Sequence, residues 1–274
     1  MDQCGSYYHQ LRCNPIITQL MIEVKNLHKK FGEEEVLKGI DFVFETGTTN
    51  LIIGESGSGK SVLLKSMLGL FTPEEGSIEY DGKAYSTFSD QEKRELRKEI
   101  GMLFQGGALF DSMTVEENVM FPLRMFTNSK KRNLRKRVHE VLERVNLEGS
   151  GNKFPAEISG GMQKRVAIAR AIVNKPKYLF CDEPNSGLDP NTATIIDNLI
   201  MELTKEYNIT TVVITHDMNS VLEIGENIAF LKDGVLAWKG DKTQVFKTDN
   251  QTVTEFVYSS NLFKKVRKAQ IQGL

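Results

Sequence analysis

Apolar residues recur along this chain in two rhythms. Five short runs, Thr49–Ile53, Ile100–Phe104, Tyr178–Cys181, Thr211–Thr215 and Ile228–Leu231, carry apolar side chains on neighbouring positions and predict strands. Helical segments lie between them, and that alternation predicts an α/β fold with a largely parallel sheet. Three other pieces, 22–27, 36–45 and 77–80, are separated by Gly and Asp and predict an antiparallel meander. A middle stretch, roughly 113–157, is helical and charged. Its helix candidate 131–147 places Leu134, Val138, Val141, Leu142 and Val145 on one face. No internal repeat is visible, so each motif below occurs once.

The first twenty residues, MDQCGSYYHQLRCNPIITQL, have neither period. At Met21 a strand-like MIEVKNL begins, in which Ile22, Val24 and Leu27 can face a core. We therefore expect Met21 to be the natural start and residues 1–20 to be a misassigned or dispensable leader. Residues 21–247 are expected to form the main domain and 248–274 a C-terminal extension.

Composition narrows the function classes. The 274 residues carry 36 acidic and 35 basic side chains, a net charge of −1, and 40% are hydrophobic, which is globular composition. Near-neutral charge argues against bulk nucleic-acid binding, which needs a basic face to release phosphate counterions. No apolar run approaches the roughly 18–20 residues that cross a bilayer. Cys4, Cys13 and Cys181 are odd in number and widely spaced, which suits a reducing compartment and disfavours a disulfide framework or zinc site. Residues 1–20 hold no secretory signal, so a cytoplasmic location is expected.

The strongest chemical signal is Gly54-Glu55-Ser56-Gly57-Ser58-Gly59-Lys60-Ser61, which fits GxxxxGK followed by Ser or Thr without a gap. It follows the apolar LII and opens the helical SVLLKSMLGL, the context a phosphate loop requires. Its glycines let successive N–H groups turn towards phosphate oxygens at a helix N-terminus. Lys60 should reach the β- and γ-phosphates of ATP, and the Ser61 hydroxyl should ligate Mg²⁺. About 120 residues downstream, Tyr178-Leu-Phe-Cys-Asp182-Glu183 is an apolar strand ending in two carboxylates. Asp182 can hold Mg²⁺ through water and Glu183 can polarise the attacking water. Alone, that pair would read as a solvated loop; beside a phosphate loop it reads as catalytic.

A third element is Ile158-Ser159-Gly160-Gly161-Met162-Gln163 leading into KRVAIARAIV, about 20 residues before the carboxylate strand. It resembles the signature loop of ATP-binding-cassette (ABC) ATPases. That resemblance implies a phosphate-loop NTPase fold: a RecA-like core, an antiparallel β subdomain and an α-helical subdomain at about 106–158. It also implies that the N–H groups of Ser159, Gly160 and Gly161 cap the γ-phosphate of a nucleotide held by another subunit. Gln105 then matches the glutamine that senses Mg²⁺ and water and couples to a membrane partner. Asp189, in Ser186-Gly187-Leu188-Asp189, matches the loop that crosses the dimer interface. His216, in VVITHD, matches the switch histidine at the γ-phosphate, although a lone histidine there would be structural. Phe31 sits where the family places an adenine-stacking aromatic; its alternative is a core phenylalanine. Met162 departs from the usual glutamine and removes one polar contact to the partner's nucleotide.

Gln105 and Ser159 are 54 residues apart, enough for a compact helical subdomain and too few for a long coiled coil. A single motif set implies a homodimer with composite ATP sites. Residues 101–123, with LFQ and GALF, and the segment SGGMQKR resemble Mla/Mce-type lipid-transport ATPases. The implied partners are a polytopic permease and an MCE-domain lipid-binding protein, with the chain peripheral on the cytoplasmic face of a Gram-negative inner membrane. The alternatives are an amino-acid or methionine importer ATPase, or a non-transport scaffold or regulator.

Two basic segments add to this picture. Six of the eight residues 130–137 are Lys or Arg, forming either a solvated face or a contact to anionic headgroups or the permease. The tail 256–274, with Lys264, Lys265, Arg267 and Lys268 among apolar residues, is either a frayed terminus or a helix packed on the neighbouring subunit.

Overall fold

The consecutive apolar runs become strands of one central sheet, because that sheet is covered on both faces. The structure, a computed structural model, describes residues 21–127 and 130–258. The expectations for residues 1–20 and for the tail beyond Tyr258 lie outside the described residues.

The chain begins with β1 (Met21–Phe31), β2 (Glu34–Glu45) and β3 (Thr49–Ile53), followed by α1 (Lys60–Met67). Next come β4 (Glu75–Tyr80), β5 (Lys83–Ala84), α2 (Asp90–Lys98) and β6 (Ile100–Leu103). The helical middle holds α3 (Val115–Phe126), α4 (Lys131–Arg144) and α5 (Gly160–Ile172). The chain then alternates through β7 (Tyr178–Asp182), α6 (Pro190–Tyr207), β8 (Thr210–Ile214) and α7 (Met218–Ile224). It closes with β9 (Asn227–Lys232), β10 (Val235–Gly240) and α8 (Gln251–Val257).

Two sheets result. The antiparallel sheet runs β2-β1-β4-β5, as the meander predicted, and the larger one runs β10-β9-β3-β8-β7-β6. In the larger sheet every pairing is parallel except β9 with β10. Strand alternation divides its side chains between two cores. Leu51, Ile53, Leu179, Cys181, Val213, Ile228 and Phe230 join the core shared with the helices. Ile52, Tyr178, Phe180, Val212, Ile214 and Leu231 join the core shared with the antiparallel sheet and α1.

The helices start where capping groups allow. Thr114 and Glu117 form a reciprocal capping box on α3, Ser89 and Glu92 one on α2, and Asp189 caps α6 with Pro190 in the first turn. Helix α4 ends at Arg144 rather than 147, because Asn146 turns the chain at φ 54°. The predicted stripe is nevertheless intact: Leu134, Val138, Val141, Leu142 and Val145 are all buried. Part of the basic face is structural. Arg135 Nε donates to Glu116 at 3.0 Å, and Arg137 donates to the Val173 and Ile172 carbonyls at 3.0 and 3.3 Å, closing the end of α5. The described residues of the tail, 256–258, pack on their own chain, with Val257 buried and the Phe256 ring 5.1 Å from that of Phe230.

Candidate functional site

In a parallel sheet the carboxyl ends of neighbouring strands open onto a common crevice, and here they deliver Lys60, Ser61, Gln105, Asp182, Glu183 and His216 to it, while Phe31 does not line it. A cavity of about 820 Å³ is lined by Glu34, Val36, Glu55, Ser56, Gly57, Gly59, Lys60, Ser61, Val62, Gln105, Asp182, Glu183, His216 and Phe256. Strand β3 supplies the loop, β7 ends on Asp182, and β8 leads to His216.

The loop geometry needs its glycines. Gly54 has φ 147°, and a Cβ there would sit 2.9 Å from Ser58 Oγ and closer still to the Leu231 carbonyl oxygen. Gly59 has φ 101° and opens α1 without a side-chain cap, so the first-turn N–H groups remain available to an anion. Lys60 Nζ donates to the Gly54 and Glu55 carbonyls at 2.8 and 2.7 Å. Burial lowers the ammonium pKa, while Glu183, Asp182 and Glu55 oppose that shift. Ser58 Oγ is buried without a hydrogen-bond partner. An uncapped helix start, a buried cation and an orphaned hydroxyl fit a triphosphate.

Asp182 is the half-buried end of β7, and burial, with Glu183 beside it, raises its pKa. A carboxylate so placed gains from a cation. Its hard oxygens and the Ser61 hydroxyl suit Mg²⁺. Among the described residues there is no cluster of three or more His, Cys, Asp or Glu that could hold a metal ion. Glu183 adopts φ 49°, a left-handed conformation uncommon outside glycine, with its N–H bonded to the Ile214 carbonyl at 3.0 Å. His216 Nδ1 lies 2.8 Å from Glu183 Oε1. The histidine side chain is 67% exposed and the glutamate 16%, so the carboxylate is the more sheltered of the two.

Gln105 lies two residues past the end of β6, with Nε2 3.4 Å from Ser186 Oγ. Strand β6 is one residue shorter than predicted, and Phe104 is exposed. The Gln105 carbonyl accepts from Lys164 Nζ, a buried ammonium whose pKa desolvation lowers. Arg170 donates to the Ala108 and Gly107 carbonyls at 2.7 and 2.6 Å. Helix α5 therefore grips the 105–108 loop with two cations. Sequence reasoning missed both.

Ser159, Gly160, Gly161 and Asp189 do not line the crevice. Ser159 caps α5, its Oγ accepting from the Met162 N–H at 3.3 Å. Gly161 packs against α6, where an added Cβ would stand 2.6 Å from Thr192 Cγ2. Met162 packs on the helical core. Asp189 accepts from the N–H groups of Asn191 and Thr192, both at 3.1 Å. Phe31 is 44% exposed and not a core residue; its ring packs at right angles to Phe71 at 5.1 Å, and Lys29 Nζ lies over the ring, 5.1 Å from its centroid.

Sheet order, loop and carboxylate strand define a phosphate-loop nucleoside triphosphatase. A family model described as ABC transporter matches residues 37–186, and the chain belongs to that family as an ATP-binding, ATP-hydrolysing subunit. The probable ribonucleotide transport ATP-binding protein mkl of Mycobacterium leprae is 40% identical over 236 residues, covering 86% of this chain and 68% of that protein. The methionine import ATP-binding protein MetN of Clostridioides difficile is 38% identical over 237 residues, covering 86% and 74%. Among solved structures, the dimeric bacterial ABC transporter cassette MJ0796 superposes with a TM-score of 0.72 at 37% identity, covering 81% of this chain and 98% of that one. Among the described residues no helix is long and apolar enough to cross a membrane.

Proposed function

We propose that two copies of this chain close around two Mg²⁺·ATP and drive a phospholipid transporter of the Mla/Mce type, peripheral on the cytoplasmic face of the inner membrane. The observation that carries the hydrolytic reading is the 2.8 Å Glu183–His216 pair in the crevice that also holds Lys60 and Gln105. Lys60 and the N–H groups of residues 57–61 hold the triphosphate, and the exposed Phe31 ring stacks on adenine. Ser61, Asp182 and Gln105 are the residues that would hold Mg²⁺, which would supply neutralisation of phosphate charge. Glu183 takes the proton of the attacking water while His216 orients the carboxylate and the γ-phosphate. Ser159, Gly160 and Gly161 lie outside the crevice and act on the partner's nucleotide, with Asp189 at the interface.

The phospholipid cargo, the permease and the MCE-domain partner rest on the resemblance carried by residues 101–123 and by SGGMQKR. A second reading, methionine import, is favoured by the MetN relative. Isolating the intact complex from membranes separates the two. An MCE-domain subunit and bound phospholipid are expected. A methionine-binding subunit, with no lipid retained, would overturn the lipid assignment and leave the ATPase assignment standing.

A further inference from the structure

The proposed hydrolytic machinery leaves one buried cation without a task. Lys164, on α5, is 6% exposed. Among the described residues its ammonium has one hydrogen-bond acceptor, the Gln105 carbonyl, and no ion pair. Its neighbours Val166, Ala167 and Ile168 are buried and apolar. A cation taken out of water without a salt bridge is a cost to the fold, and an apolar side chain of the same length would avoid it. Packing alone therefore does not call for this charge. What the charge does is hold one peptide.

That peptide carries Gln105, two residues past the end of β6. Both ends of the residue are tied, the carbonyl to Lys164 and Nε2 to Ser186 Oγ at 3.4 Å. The helix that bears Lys164 is itself fixed against β6 and its loop. A Cβ on Gly101 would run into the Ala171 carbonyl oxygen, and one on Gly107 would stand 3.8 Å from Ala167 Cβ. Lys164 thus fixes Gln105 relative to α5, the helix that Ser159 caps.

We propose that Lys164 is a positioning residue for Gln105: its buried ammonium holds the Gln105 carbonyl, so the side chain that serves Mg²⁺ starts from a fixed peptide. This role rests on the reading of Gln105 as a holder of Mg²⁺ and adds the group that keeps it in place. It differs from the Arg170 contact, which holds the next two carbonyls of the turn, on Gly107 and Ala108, and leaves Gln105 itself untouched.

The test measures how much Mg²⁺ tightens binding of a non-hydrolysable ATP analogue, adenylyl imidodiphosphate, by calorimetric titration of the full chain in Mg²⁺ and in EDTA. Lys164→Met keeps the bulk and removes donor and charge. Its binding in EDTA should stay within about twofold of wild type, because Lys164 does not line the crevice. The gain from Mg²⁺ should shrink about tenfold, the low end for groups that orient a metal's ligands. Its Tm should equal or exceed that of wild type, since an unpaired buried charge is gone and water can pair the carbonyl of the exposed Gln105. Lys164→Gln keeps a neutral donor, about half as strong as a charged one, and should lose about threefold. It carries the test if the Met variant does not fold. Added to Gln105→Ala, Lys164→Met should cause no further loss, because both act through one side chain. A Mg²⁺ gain equal to wild type in either variant overturns the proposal. So does a loss that adds in full to that of Gln105→Ala, or one accompanied by a Tm fall of about 4 °C or more, the mark of a structural role. Gln105→Ala alone reports on the reading beneath: an unchanged gain there removes the Mg²⁺ role of Gln105, whereas a reduced gain there with a normal one in Lys164→Met removes this proposal alone.

Discussion

Arg170→Leu tests how the 105–108 loop is held. The guanidinium donates to the Ala108 and Gly107 carbonyls at 2.7 and 2.6 Å, on residues whose φ values are 48° and 73°. A hydrogen bond to a charged donor is worth about 1.5–3 kcal/mol, and a carbonyl left buried and unpaired costs about 1–3 kcal/mol. The site is partly open, so water re-pairs some of what is lost, and about 2–3 kcal/mol in total is the expected destabilisation. For a domain of this size that is a fall of roughly 4–10 °C in Tm. Ala108 also occupies a conformation that costs energy without the clamp, so the loop should relax and carry Gln105 away from Ser186. Thermal melts paired with steady-state ATPase assays read both effects, and Arg170→Lys, able to reach one carbonyl, should lie between. An Arg170→Leu protein melting within about 1 °C of wild type, where the clamp predicts 4 °C or more, would refute the reasoning.

Three further outcomes follow from the crevice and its surroundings. Gly54→Ala forces a Cβ against Ser58 Oγ and the Leu231 carbonyl at φ 147°, so ATP binding measured by calorimetric titration should be lost. Phe31→Ala should raise KM for ATP about tenfold, the worth of one stacked base, and leave Tm nearly unchanged because the ring is exposed. Burial raises the carboxyl of Asp197, on α6, from 3.8 to about 6, so its native-state stabilisation is full below the lower value and is lost as pH rises through the upper one. The Tm of wild type relative to Asp197→Asn should therefore be higher at pH 5 than at pH 7.5, and a constant gap would contradict that rise.

What the sequence made legible follows from physical context. Strands β3, β7, β8 and β9 were readable because both faces of the central sheet are covered, which forces apolar residues onto neighbouring positions. The phosphate loop was readable because its glycines answer a local demand for unusual backbone. Helix α2 was missed: DQEKRELRK buries only Leu96, so its apolar stripe is faint, although Ser89 and Glu92 spell a capping box. Lys164 and Asp197 were illegible as buried groups, and Arg170 as a half-buried one. On a helix each resembles a solvated polar position, and only the packing of α5 on the 105–108 loop, and of α6 on α7, removes them from water. The alternatives for Phe31 separated for the same reason, since packing at right angles to Phe71 leaves the ring exposed instead of in the core.

The central claim is that Glu183 activates water in a site completed by a second copy of the chain. Its most direct test is purified Glu183→Gln incubated with Mg²⁺ and ATP, with turnover and mass in solution measured together. The account predicts retained ATP binding, a stable ATP-dependent dimer, and turnover reduced about 100-fold or more, the scale of general-base catalysis. Turnover at the wild-type rate would contradict it, as would a protein that stays monomeric with ATP bound.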